Sequence, residues 1–210
     1  MNAQASTEAP PAPFEYISAA DGPRERLLMA MAQSIKEKGF TQTVVADVVR
    51  IARVSKRTFY EHFGDREECF LELCDAFAAF SRETIARAAA IDAPWREQLD
   101  AAMGAWAKLL TAEPALTRSF LFEIYSLGER GAVKHREVHR RFAEQFCELA
   151  EDRRQTNPEL HPVSISTASA IVAGIGDLAL LAVEDGGPEA IGRVKDTAVD
   201  LIAAVMTAPR

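Results

Sequence analysis

The chain contains 210 residues, of which 48% are apolar and 26% charged, and its formal net charge is −7. This length and composition are typical of a soluble globular protein and exclude a largely disordered chain. The three cysteines, Cys69, Cys74 and Cys147, are odd in number and lie in helical patterns, so we expect reduced core thiols rather than a disulfide framework. No charged stretch followed by an apolar core opens the sequence, and we therefore expect a cytoplasmic protein.

The first 66 residues divide into an arm and a small domain. Residues 1–21 contain three prolines and no Lys or Arg, which predicts a disordered arm. Residues 22–66 then carry apolar stripes for three short helices, the first of which ends at Gly39. Thr43 can cap the second helix, and Ser55 can cap the third after a tight turn. Two short helices joined by such a turn form a helix-turn-helix.

The remainder of the chain predicts six longer helices. Their apolar stripes run from Asp65 toward Ala90, from Trp95 to Thr111, through Leu116 to Leu127, through Val138 to Leu149, from Ser164 to a stop at Gly186–Gly187, and from Glu189 to about Met206. No segment alternates apolar and polar residues with a period of two, so we expect no sheet. The predicted fold is therefore all-α with nine helices.

The segment from Ile165 to Val183 carries one charge, Asp177, and approaches the roughly 20 residues of a membrane span. A carboxylate at mid-bilayer is costly, so we predict a buried helix and no membrane partner. This helix and the last one are apolar on two faces. We therefore predict a homodimer through the last two helices, with Gly176 allowing the second chain to approach closely.

Positive charge is concentrated in the predicted helix-turn-helix domain. Residues 21–66 contain nine Lys or Arg against six Asp or Glu, whereas the rest contains 15 against 25. A positive head on an acidic body suits contact with a polyanion such as double-stranded DNA. The leading turn of the third helix can read base edges, and flanking polar groups can contact phosphates. We predict base contacts by Lys56, Arg57 and Thr58 behind the Ser55 cap, and phosphate contacts by Thr43, Tyr60, His62 and Arg66.

The run "GFTQTVVADVVRIARVSKRTFYEHFGDREECF" closely resembles the DNA-binding signature of the TetR family of transcriptional repressors. The matching positions are Gly39, Phe40, Thr43, Val45, Val48, Ala52, Val54, Ser55, Thr58, Phe59, Tyr60, His62, Phe63, Asp65 and Glu67. The resemblance implies the nine-helix TetR-like architecture and a homodimer that binds a palindromic operator. It also implies that residues 67–210 bind a small apolar or aromatic effector, which releases the repressor, and hold the dimer interface.

Two departures from that signature lie in the helix-turn-helix. Arg53 stands where the family most often has the turn glycine, so the turn must form without positive φ or accept modest strain. Val44 and Val49 replace more usual small or hydroxylated residues, which removes one possible phosphate donor. We expect DNA binding to survive both departures.

Aromatic residues are abundant in the C-terminal part and predict an apolar cavity with a few polar groups. The predicted lining consists of Trp106, Phe120, Tyr125, Phe142 and Phe146, with Glu123, His139 and Asp177 as polar candidates.

An alternative interpretation rests on His135 and His139, which lie four apart on one helix and could hold a metal or supply a base. The sequence "HREVH" lacks the H-E-x-x-H order, and no third ligand is evident. No Gly-rich phosphate loop or nucleophile elbow occurs either. We therefore expect no enzyme, metal or cofactor, with a helical enzyme or metal-binding protein using this histidine pair as the alternative.

Overall fold

The computed structural model describes residues 22–185 and 187–208; the predicted arm at 1–21 lies outside them. The described residues form nine α-helices and one 3-10 helix, without a strand, which confirms the predicted all-α fold. The helices are α1 (Pro23–Lys38), α2 (Val45–Ala52), α3 (Lys56–His62), α4 (Arg66–Ala89), α5 (Trp95–Ala112), α6 (Pro114–Leu121), the 3-10 helix (Glu123–Leu127), α7 (Glu129–Thr156), α8 (Ile165–Asp185) and α9 (Gly187–Thr207).

The helix ends in the N-terminal part have identifiable causes. Pro23 starts α1 at a position where its missing N–H is not needed, and Gly39 follows the helix with φ 79°. The Asp65 carboxylate accepts from the backbone N–H of Glu68 at 2.7 Å and so caps α4. These residues at the helix ends place α1 and α4 close to their predicted positions.

A first core joins α1 to α4 and is tightly closed. Phe40, Phe59, Phe63 and Phe70 are each at most 1% exposed, and the Phe40 and Phe70 rings stack with centroids 4.1 Å apart. The same core continues into α6 through Leu116. The helix-turn-helix is therefore packed against the first half of α4 and against α6.

The region between α6 and α7 differs from the prediction. The stripe that was expected to run through Leu127 breaks after Leu121 and continues as the 3-10 helix. Helix α7 starts at Glu129, well before Val138, so Gly131 lies inside it. A Cβ at Gly131 would clash with the carbonyl oxygen of Ile124. This glycine thus allows α7 to pack directly on the 3-10 helix.

A second core holds α8 and α9 against α5 and α7. It is built from the inward faces of the last two helices, including Ile171, Ala179, Ile191, Ala198 and Ile202. The expectation that α8 is buried between two packed surfaces holds for only one of its faces in the single chain. Among the described residues, the stretch Ile165–Glu184 meets the length and composition of a membrane span, but such a helix is weak evidence for one.

Candidate nucleic-acid interface and ligand cavity

The turn between α2 and α3 is made by Arg53 in the left-handed conformation, with φ 54° and ψ 46°. The Val54 N–H donates to the Val49 carbonyl at 3.1 Å across this turn, which closes the end of α2. Of the two possibilities left open by the sequence, the turn takes the strained one. Arg53 is the one non-glycine residue with positive φ among those described.

Helix α3 presents its first turn to solvent. The Ser55 hydroxyl accepts from the Thr58 N–H at 3.0 Å and lies 2.9 Å from the Thr58 hydroxyl, so both are engaged in the cap. Lys56 and Tyr60 are exposed, and the Arg57 side chain is 90% exposed while its Nε donates to Glu61 at 3.1 Å. A surface pair of this kind is weak, so Arg57 can exchange Glu61 for a base edge at little cost.

Thr43 does not belong to this surface, contrary to the prediction. The residue is 0% exposed, and its hydroxyl donates to the Gly39 carbonyl at 2.8 Å and lies 2.9 Å from the Ser34 hydroxyl. Val44 is the N-cap residue of α2, and Asp47 accepts from its N–H at 3.0 Å. The Thr43 side chain therefore fixes the α1–α2 loop from inside the protein. It neither caps α2 nor reaches a phosphate.

Arg66 is also committed to the protein rather than exposed as a phosphate clamp. Its Nη1 donates to the Thr43 carbonyl at 2.8 Å, and its guanidinium lies 4.4 Å from the centre of the Phe40 ring. These contacts fasten the start of α4 to the α1–α2 loop. His62, at the end of α3, is partly buried and stays a phosphate-contact prediction.

Glu123, at the start of the 3-10 helix, connects two parts of the molecule. These are the head, formed by α1 to α3 and the start of α4, and the body, formed by the rest of α4 and the later helices. The Glu123 carboxylate accepts from the Phe40 N–H at 2.9 Å, from Ser119 at 2.6 Å and from Arg118 at 3.0 Å. Glu123 is therefore a bridge between the α1–α2 loop and the body, and its predicted place in the cavity wall is wrong. A contact between residues 83 positions apart has no signal in local sequence patterns.

A second tie joins α7 to the start of α4. Arg130 Nη1 donates to Asp65 at 2.8 Å and to Glu67 at 3.0 Å. The hydrogen bond from Arg130 lowers the pKa of the Asp65 carboxyl. The segment that directly follows α3, the recognition helix of the helix-turn-helix, is thus fixed to α7 by charge as well as by packing.

The body contains a cavity of about 240 Å³ with nearly continuous apolar walls. Helices α4 to α9 and the 3-10 helix all contribute, and the predicted Trp106, Phe120, His139, Phe142 and Phe146 line it. Sequence reasoning missed several lining residues, among them Phe77, Gln98, Gln145 and Arg153. For Phe77 a signal existed, because it lies on an apolar stripe, but such a stripe does not distinguish cavity wall from core.

Two other predicted ligand contacts lie away from the cavity. Tyr125 is half exposed and does not line it, and its hydroxyl lies 2.9 Å from His135 Nε2. Asp177 lies on the exposed face of α8. Gly176, by contrast, faces His139, since a Cβ there would lie 3.7 Å from the His139 Nε2. The residue chosen for the dimer interface therefore lines the cavity instead.

The two histidine rings lie in the cavity wall with their centres 4.1 Å apart and their planes tilted by 41°. Desolvation lowers the pKa of His135 from 6.5 to about 4, with a further contribution from His139, and desolvation lowers the pKa of His139 as well. Both rings are consequently neutral at pH 7. Among the described residues, no group of three or more metal-binding side chains surrounds them.

The three cysteines are free thiols. Burial raises the pKa of Cys69 to about 12, and burial also raises the pKa values of Cys74 and Cys147. Because the thiolate is the reactive form, these side chains act as apolar packing groups at neutral pH.

An exposed recognition helix, joined through a long α4 to a helical body with an apolar cavity, is the architecture of a DNA-binding transcriptional regulator. Residues 27–73 match the family model for bacterial regulatory proteins, tetR family. The matched segment covers most of α1, all of α2 and α3, and the start of α4, so this part of the chain has the DNA-binding domain of that family. No curated protein matches the chain.

Solved structures similar to this chain share its fold along almost their whole length. The regulator FadR from Bacillus subtilis in complex with stearoyl-CoA has 15% identity and a TM-score of 0.71, with 86% of this chain and 98% of that one covered. FadR from Bacillus halodurans has 16% identity and a TM-score of 0.72, with coverage of 87% and 95%. The reduced form of Escherichia coli NemR has 18% identity and a TM-score of 0.68, with coverage of 90% and 100%. At these identities the likeness shows the fold alone.

Proposed function

We propose that this regulator is a cytoplasmic, non-enzymatic repressor that binds a palindromic operator as a homodimer and is released by a small apolar ligand. The observation that carries the proposal is the position of α4. This helix begins four residues after the end of α3 and also forms one wall of the cavity from Cys74 to Ala89. A ligand that shifts α4 must therefore move the recognition helix.

For DNA binding, the support lies in the free surface of α3. Lys56 and Arg57 are exposed at its leading turn, where donors can reach guanine edges in the major groove. Tyr60 is exposed beside them and can donate to a phosphate. The remaining proposed contacts are Ser55 and Thr58 at the cap and His62 at the end of the helix.

For the homodimer, the support is an apolar surface on the outer faces of α8 and α9. Leu178, Leu181 and Leu201 are between 40% and 51% exposed in the single chain. A Cβ at Gly174 would meet nothing within 4 Å, so this glycine, rather than Gly176, leaves room for a partner helix. Covering this face with a second copy would remove apolar surface from water.

The dimer can be tested by placing a charge on that face. Leu181→Glu should convert the protein to a monomer in light scattering at micromolar concentration, because two carboxylates would have to be buried at a symmetric contact. Val133→Glu is the matched control, since Val133 is similarly exposed but lies on α7. A monomeric parent protein, or a dimeric Leu181→Glu variant, would contradict the interface.

For the ligand, the support is the shape and chemistry of the cavity. The stretch of α4 that lines it, from Cys74 to Ala89, spans about 22 Å at 1.5 Å per residue. A mostly apolar wall of this length suits an extended apolar chain better than a compact polar molecule. The similar fold of Bacillus subtilis FadR accommodates stearoyl-CoA, which is consistent with a chain-like ligand here.

The release mechanism is tested by reciprocity. A ligand that favours the released state must bind less tightly when operator DNA is present, and by the same factor by which it weakens DNA binding. Compounds that raise the melting temperature should be titrated with and without a DNA fragment selected by the protein. Equal ligand affinity in both titrations would exclude the switch, even for a compound that fills the cavity.

A further inference from the structure

The end of the cavity where α4 meets α5 carries two polar side chains, Gln98 and Arg153, in a mostly apolar wall. Gln98 Nε2 donates to the carbonyl oxygens of Ile91 and Ala93, both at 2.9 Å. Arg153 Nη2 donates to the Ala89 carbonyl at 2.8 Å. The three carbonyls belong to one short stretch of chain, so the Gln98 and Arg153 side chains both reach this corner, and both line the cavity.

The orientation of the Gln98 amide is fixed by its partners. The atoms of Ile91 and Ala93 that Gln98 contacts are carbonyl oxygens, which accept hydrogen bonds, so the amide nitrogen must face them. The amide oxygen Oε1 is buried and has no hydrogen-bond partner among the described residues. A buried acceptor without a donor is unfavourable, and a bound group that donates to it removes that cost.

Arg153 offers the complementary chemistry. Its guanidinium has five N–H donors, and among the described residues no carboxylate pairs with it. No other Lys, Arg, Asp or Glu of the described chain lines the cavity. The corner thus holds one buried acceptor without a partner, on Gln98, and the guanidinium of Arg153, which makes one hydrogen bond to the described chain.

We propose that the ligand is an amphiphile whose head group both donates and accepts hydrogen bonds, such as a hydroxyl or a primary amide, and sits at the α4–α5 corner. The head group of the ligand donates a hydrogen bond to Gln98 Oε1 and accepts one from Arg153. This inference rests on the proposed small-molecule function of the cavity. A carboxylate fits less well, because it only accepts and would face the Gln98 oxygen without a proton between them.

The tail then extends toward the other end of the cavity. The walls there are formed by Phe77, Phe120 and Ile124, beside neutral imidazoles. The tail end lies next to Glu123, which follows Phe122 and holds the Phe40 N–H of the head domain. An amphiphile in this direction would place its apolar end against the segment that joins the two parts of the protein.

The probes are 1-decanol, its methyl ether 1-methoxydecane, and decanoate. The alcohol can donate and accept, whereas the ether and the carboxylate only accept. A ten-carbon chain is suitable because the cavity lies below the roughly 300–1,000 Å³ of drug-sized pockets. The chain contains two tryptophans, Trp95 and Trp106, and both line the cavity, so intrinsic fluorescence of the protein reports binding directly.

We expect 1-decanol to bind about tenfold more tightly than its ether, the value of one buried hydrogen bond. Gln98→Met should abolish this preference and leave ether affinity nearly unchanged. Gln145→Met is the matched control: Gln145 also lines the cavity, but its Oε1 is not among the buried atoms without a partner, so the preference should persist. Comparing two ligands on one variant cancels any general loss of packing. Arg153→Met should weaken the alcohol and the ether alike.

Other outcomes would overturn the inference. These are equal affinity for alcohol and ether in the parent protein, a preference that survives Gln98→Met, or one that is lost in His139→Leu instead. If decanoate binds most tightly to both the parent protein and Gln98→Met, Arg153 alone selects the head group of the ligand. If none of the probes binds, the proposed apolar effector fails as well, whereas equal binding of alcohol and ether refutes only the head-group assignment.

Discussion

The aromatic residues of the head are packed more completely than those of the body. In the head, Phe40, Phe59, Phe63 and Phe70 are almost completely enclosed. In the body, aromatic rings such as Phe142 are only partly buried and border an open volume of about 240 Å³. The same kind of residue at the same helical spacing therefore makes a closed core in one region and a cavity wall in the other.

The difference follows from how the helices meet. Three short helices and the start of α4 can surround four phenylalanines completely, and they leave the α3 surface free for DNA. The long helices of the body cross over a greater distance and leave room between them. A closed head keeps the recognition helix in a fixed shape, while an open body can respond to a ligand by repacking.

Removing one ring from each region tests this comparison most directly. Phe59→Ala should lower the free energy of unfolding by about 3–5 kcal/mol, because it empties a closed site. Phe142→Ala should cost only about 1–2 kcal/mol, since that ring already lacks neighbours on its cavity side. Urea unfolding of both variants provides the values. Equal losses would show that the body is packed as completely as the head.

The second prediction concerns the surface of the head. Arg57→Ala should weaken binding to the preferred operator by about 1–3 kcal/mol and relax base preference at one position, because a bidentate contact to guanine is lost. Tyr60→Phe is the control, since loss of a phosphate donor weakens all sequences alike. Mobility-shift titrations against operator variants distinguish the two patterns. Unchanged base preference in Arg57→Ala would remove this residue from the reading surface.

The head was the more predictable region because its signals are local. Ser55 and Asp65 cap their helices as their sequence positions indicate, and Phe59 and Phe63 pack as their spacing requires. The error at Thr43 is also instructive. Its hydroxyl finds buried partners at Ser34 and Gly39, which lie outside the local capping pattern.

In the body the helices could be predicted but the direction of their faces could not. Helix α8 is apolar on two sides, so periodicity alone did not show that Gly176 faces the cavity and Gly174 the solvent. Glu123 bonds to Phe40 across 83 positions, a contact that exists only after folding. The sequence therefore predicts that a cavity exists, whereas tertiary packing decides which polar groups border it.

The third prediction tests the apolar character of the body through His135. Desolvation lowers its pKa in the folded protein from 6.5 to about 4, so between these values the unfolded chain binds a proton that the folded chain does not. Stability should therefore fall as pH drops from 6.5 to 4 and show no further His135 effect below that. If the whole pKa shift of His135 acted on stability, the loss would be about 3 kcal/mol. Because water reaches part of the ring, we expect about 1–2 kcal/mol.

Denaturant unfolding between pH 4 and pH 7 measures this effect. His135→Leu should flatten the pH dependence, and His139 should account for part of what is left because burial lowers its pKa too. His161→Gln serves as the control, since His161 does not line the cavity. A pH profile that is the same in His135→Leu and in the parent protein would mean that the ring is solvated and that the cavity is wetter than its lining suggests.

The smallest expected effect concerns the one strained turn of the otherwise well-packed head. Arg53 holds φ 54°, a conformation that costs a residue with a Cβ about 1–2 kcal/mol relative to glycine. Arg53→Gly removes this strain but gives the unfolded chain more freedom, so the net gain should be about 0.5–1 kcal/mol. Arg53→Ala retains the Cβ and should gain no stability, which separates the effect of strain from the loss of positive charge.

The DNA affinity of the two variants completes the test. If both bind DNA less tightly than the parent protein, although the glycine variant is more stable, the arginine is retained for its charge near the DNA backbone. If both variants bind DNA as the parent does, the strain at this turn has no role in DNA binding.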